Sequence, residues 1–234
     1  MTMQKNVWVT AGAIGLFLLF PRMALPASEA YPTMAPVEQY LIPDQAQEIA
    51  SARSAAPPSI SEHAEILVLT RDGYVTAAKG SNDFVCLVQR SWFSPLEDAQ
   101  FWNPKERSPI CFNPPGVRSV LPVYRERTKW VLAGLSRDEI VARTKAEIDA
   151  GRFLAPEIGT LSYMQAKDSY LSGAHGHWHP HLMFFLPRMN VADWGANLTD
   201  APVMGAAAGI VPYTIFFVPV SHWSDGTPDT TPIH

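Results

Sequence analysis

The chain has 234 residues, 47% of them apolar, which suffices to bury the core of one domain. Eighteen basic and 22 acidic side chains leave a formal charge of −4. No basic run is present, so nucleic acid is excluded as a partner, and the plentiful aliphatic and aromatic residues exclude disorder of the whole chain.

Lys5 precedes an uncharged apolar run over residues 7–20, and small residues follow as far as Ala27 and Ala30. That order is the pattern of a bacterial-type signal peptide over residues 1–30, with cleavage expected after Ala27 or Ala30. The run is shorter than the about 20 residues of a membrane-spanning helix, so the mature chain is expected to keep no stable span and to reside in the periplasm or outside the cell. The competing reading is an uncleaved anchor. Cys86 and Cys111 are the only cysteines. An even count in an oxidising compartment predicts that they pair, and neither has the C-x-x-C spacing of redox or zinc motifs.

Residues 31–61 form a proline-rich lead-in with Pro32, Pro36, Pro43, Pro57 and Pro58. One helix is predicted within it over 45–55, capped by Asp44 with Gln47 completing a capping box, and stopped by Pro57 and Pro58. A single domain is expected over 62–224. It opens with three strands read as a sequential antiparallel meander, 65–70, 74–78 and 84–92, turning at Asp72-Gly73 and at 80–83. Residues 93–117, with Pro95, Pro104, Pro109, Pro114 and Pro115, read as a long loop that is either pinned or functional. Apolar spacing then predicts a helix over 118–135. A second helix runs to Ala150, started by the capping box Ser136-x-x-Glu139 and stopped by Gly151. Strands are expected over 160–166, 182–186 and 213–220, a tight packing segment or turn over 205–209, and a loose tail over 225–234. Strands, then helices, then strands predict an α+β fold: a mainly antiparallel sheet with two or three helices packed on it.

The unusual chemical feature is the run His175, His177, His179 and His181. In an extended segment residues i and i+2 share a side, about 6.6–7 Å apart, so two imidazoles can converge on one ion. His222, just beyond the last strand, is the natural distant ligand. An all-histidine set suits a divalent metal, zinc first and copper or iron next. The His-x-His pair resembles the ligand pairs of cupins, carbonic anhydrases and amidohydrolases over three residues only. No Glu follows it as in cupins, and Pro180 stands where metallo-β-lactamases place an Asp. Tyr163 and Asp168 precede the run closely enough to join His179 in catalysis. The predicted function is an exported metal-dependent hydrolase with a mononuclear histidine site, acting on a small-molecule or polymer substrate. Two alternatives stand beside it. One is a non-catalytic periplasmic module that binds metal or a small apolar ligand. The other is a metal-free enzyme with a histidine general base.

Overall fold

A computed structural model of the chain describes residues 31–170 and 178–231. Its centre is a mixed eight-stranded sheet, in the order β2-β1-β3-β4-β5-β6-β8-β7. The strands are β1 (Glu65–Thr70), β2 (Gly73–Ala78), β3 (Val85–Gln89), β4 (Ser108–Phe112), β5 (Leu161–Met164), β6 (His181–Pro187), β7 (Met204–Ala207) and β8 (Tyr213–Pro219). Among the described residues five α-helices accompany it: α1 (Gln45–Arg53), α2 (Pro58–Ser61), α3 (Pro114–Ser119), α4 (Leu121–Leu132) and α5 (Arg137–Asp149). The α+β expectation therefore holds, with more helices than the two or three predicted.

The first strands differ from the predicted meander. Asp72-Gly73 does turn a hairpin, with Gly73 at φ 116°, which a β-carbon would strain. The second turn makes no hairpin. Residues 79–84 pass across the start of β1, held by Ser81 N–H to the His63 carbonyl (2.7 Å) and Glu65 N–H to the Phe84 carbonyl (2.8 Å). Strand β3 then lies parallel to β1 on its open side. The continuous apolar run Val85, Cys86, Leu87, Val88 explains the placement, because only an interior strand buries both of its faces.

Leu67, Leu87, Ile110, Phe112 and Phe185 face a large core closed by Val123, Tyr124 and Val131 of α4 and Ile140 of α5. Ile66, Cys86, Val88 and Cys111 face a smaller core with Ala52 of α1 and the nearby Ala55 and Ala56. Each such Leu, Ile, Val or Phe stabilises the fold by about 1.5–3 kcal/mol on full burial. Cys86 and Cys111 sit opposite each other in the β3–β4 ladder and form a disulfide, as expected. The lead-in belongs to the fold as well. Tyr40 is buried in the large core, and the buried Arg90 donates to Glu48 of α1 at 2.8 Å and to the Tyr40 carbonyl at 2.6 Å.

The loop expected over 93–117 is shorter than predicted, because β4 and the start of α3 occupy its second half. Pro109 lies in β4 opposite Val88, whereas β5 pairs only with Cys111 and Phe112, so the missing N–H falls where β5 makes no ladder. Pro114 occupies the first turn of α3 behind the cap Asn113, whose side chain accepts from Gly116 N–H at 3.0 Å. The helix predicted over 118–135 is two helices broken at Val120, since Pro122 fits the first turn of a new helix and not the interior of an old one. The capping box of α5 is formed as read. Residues 204–207 form edge strand β7 instead of a turn, with Gly205 against the Phe216 ring.

A candidate histidine site at one end of the sheet

Strand β6 begins at His181, opposite Met164 of β5 and Pro219 of β8. Val220 N–H to the Pro180 carbonyl (2.8 Å) extends that pairing past the strand end, where Trp178 and His179 lie. Residues 221–231, which include most of the expected loose tail, fold back on the same end. Asp229 N–H bonds the Ser221 carbonyl, Trp223 N–H the Thr227 carbonyl and Ser224 N–H the Gln165 carbonyl. Trp223 is buried, Gln165 donates to the His222 carbonyl at 3.1 Å, and Lys167 pairs with Asp225 at 2.6 Å.

This return brings Asp229 to His179, with Nδ1 2.6 Å from Oδ2. The side chains are 19% and 7% exposed respectively, so the contact is largely withdrawn from water. Burial alone would push the Asp229 carboxyl up. The hydrogen bonds from His179 and Thr231 outweigh it and hold the group below its ordinary value, ionised at neutral pH. An ionised carboxylate only accepts, so Nδ1 of His179 donates and, in the neutral ring, the lone pair sits on the second nitrogen, Nε2. Nothing in the sequence around Asp229 marks it as a partner of His179, because the contact depends on the fold-back.

His181 has a different environment. Its Nδ1 donates to the His179 carbonyl at 2.8 Å, while Nε2 is buried without a hydrogen-bond partner among the described residues. The rings of Trp178 and Phe217 flank it at 4.9 and 5.8 Å. Burial pulls its pKa down to about 4, so it is a neutral imidazole near pH 7.

The other predicted residues are not seen in this contact. His175 and His177 lie outside the described residues. His222 is exposed with Nδ1 2.8 Å from Ser221 Oγ, and it is paired with Pro228. Tyr163 stands opposite Cys111 and packs near Phe84 on the smaller core, the reverse face of the sheet from His181. Asp168 is exposed and borders a separate cleft with Arg107 and Leu41. Of the proposed catalytic set Tyr163, Asp168 and His179, only His179 thus lies in the dyad. Among the described residues no three His, Cys, Asp or Glu side chains are grouped to hold an ion. In comparison with known proteins, the chain matches no family model, no curated protein and no solved structure, so the chemistry of this site has to be read from its own residues.

Proposed function

We propose that this chain is an exported hydrolytic enzyme centred on His179, with Asp229 as the residue that orients it. The carrying observation is the 2.6 Å contact between His179 Nδ1 and the Asp229 carboxylate. A carboxylate on one ring nitrogen raises the basicity of the other, the arrangement that metal-binding histidines use to fix tautomer and direction. The His-x-His spacing of the run supplies further imidazoles of the same sequence segment, and an all-imidazole set suits zinc before copper or iron. When bound, such an ion lowers the pKa of a coordinated water for attack on a substrate. The Cys86–Cys111 disulfide fits the oxidising compartment that export implies.

The same dyad also supports a metal-free reading, in which His179 takes a proton from water or from a substrate hydroxyl while Asp229 stabilises the imidazolium. Two measurements separate the readings: metal content of the purified protein, and turnover of a panel of ester, amide and phosphoester substrates. The metal reading expects one equivalent of metal, lost in His179→Ala and weakened about 10–100-fold in Asp229→Asn. Turnover without metal would favour the general base. Full metal and full turnover in His179→Ala would overturn both.

A further inference from the structure

A second cleft, of about 520 Å³, opens at the far end of the sheet from His179, where β1 and β3 begin and α3 meets α4. The volume lies within the range of small-molecule sites. Leu67 and Val85 from the strands and Val117 and Leu121 from the helices give it an apolar floor. Its charges balance: Arg118, Arg125 and Lys129 against Glu65, Asp83 and Glu126.

Most of these charges are already engaged. Arg118 is held by Glu157 through Nη2 at 2.6 Å and Nε at 3.1 Å, and Lys129 by Glu126 at 2.5 Å. Glu65 accepts from Thr76 Oγ1 at 3.0 Å. Two remain. Arg125, on α4, and Asp83, on the turn before β3, both line the cleft and make no hydrogen bond or close ion pair with any described residue, although the Asp83 carboxylate also acts at longer range on Arg118.

The two supports are firmly placed. Helix α4 is anchored in the large core by Leu121, Val123, Tyr124 and Val131. The turn is tied down by Asn82, whose amide donates to the Ile60 carbonyl at 2.8 Å while its side-chain oxygen accepts from Phe84 N–H at 3.2 Å. Gly80 packs so closely that a β-carbon there would lie 2.3 Å from Glu65 N. Asp83 itself is held at φ 60°, a conformation that Asp and Asn tolerate better than other residues with side chains.

We propose that this cleft binds a small zwitterion with an apolar body, an amino acid or short peptide with free termini, its carboxylate on Arg125 and its ammonium on Asp83. A simple anion is a poorer fit, because the balanced lining offers it no net attraction. A neutral apolar molecule would leave both unpaired charges facing it. Each terminus should matter by tenfold or more, which is about 1.4 kcal/mol.

Calorimetric titration of the purified protein with three probes tests this: leucyl-leucine, its N-acetyl derivative and its C-terminal amide. The free dipeptide should bind, and blocking either terminus should weaken it at least tenfold. Arg125→Gln should weaken the free dipeptide at least tenfold and remove the difference between acid and amide. Asp83→Asn should do the same for the amine and its acetylated form. Both residues are exposed, so neither change threatens the fold. No binding of leucyl-leucine at about 10 mM, weaker than any affinity useful to a binding site, would overturn the proposal. Equal binding of the three probes, or variants that keep the parent pattern, would do so too.

Discussion

Two buried ionisable side chains make the fold respond to pH in opposite directions. Glu106 is buried, and burial first, with Asp98 nearby second, pushes its carboxyl up to about 8. An acid whose folded pKa is raised favours the folded state while protonated. Its contribution is therefore intact below the unfolded value near 4.5 and is lost as pH rises towards 8, at about 1.4 kcal/mol per unit. Glu106→Gln should accordingly raise the melting temperature at pH 7–8 and change little at pH 4, as calorimetry at both values would show. His181 is the reverse case, with burial pulling its pKa down to about 4. Its neutral form stabilises the fold above the unfolded value near 6.5, and that contribution falls away as pH drops towards 4. Urea titrations in chelator should show wild type losing up to about 3 kcal/mol across that interval. His181→Phe should lack this component of the loss.

The disulfide and the folded-back C-terminal segment each tie together separate elements of the fold. The Cys86–Cys111 bond spans 25 residues and joins adjacent strands β3 and β4 beneath α1. Loop-closure entropy gives it about 3 kcal/mol. Reduction, or the double change Cys86→Ser with Cys111→Ser, should lower denaturant stability by roughly that amount. Two reactive thiols in freshly isolated, denatured protein would show that the bond is not formed in the cell. In the C-terminal segment, the Asp229–His179 and Asp225–Lys167 contacts clip residues 221–231 against the ends of β5 and β6. Asp229→Ala leaves His179 without its carboxylate. We expect a loss of about 1–3 kcal/mol and faster hydrogen exchange of the Asp229 and Trp223 amides. Unchanged exchange would mean that Trp223, the Lys167–Asp225 pair and the Gln165 hydrogen bonds hold the segment without Asp229.

At the scale of the molecule, the two proposed sites lie apart on one sheet. The His179–Asp229 pair lies where β6 begins, and the zwitterion cleft lies where β1 and β3 begin, several strands away. Substitutions at one should leave ligand binding at the other unchanged, as expected for distant positions with no shared partners. Export is testable on the whole chain. Intact mass of protein from the cell envelope should show loss of the first 27–30 residues, and a full-length mass in the cytosolic fraction would exclude cleavage. Among the described residues no helix is long and apolar enough to cross a membrane.

Local chemistry made much of this legible before folding was considered. The Asp44 and Ser136 caps, the Asp72-Gly73 hairpin and the strands around residues 182–186 and 213–219 each follow from a few neighbouring residues, and each is present. The pairing of Cys86 with Cys111 followed from their number and the expected compartment. Tertiary structure decided what depends on distant partners. Strand β3 lies parallel to β1 because an open strand edge was available to an all-apolar segment, which no turn signal encodes. Pro109 is accepted in a strand because β5 ends short of it. The histidine run drew attention to this segment, but alternation alone could not say what each ring meets. Folding distinguished them, setting His179 on a carboxylate 50 residues further along the chain, enclosing His181 among aromatic rings and leaving His222 at the surface. Period-two spacing specifies which way side chains point relative to one another. What they meet is determined by segments tens of residues away.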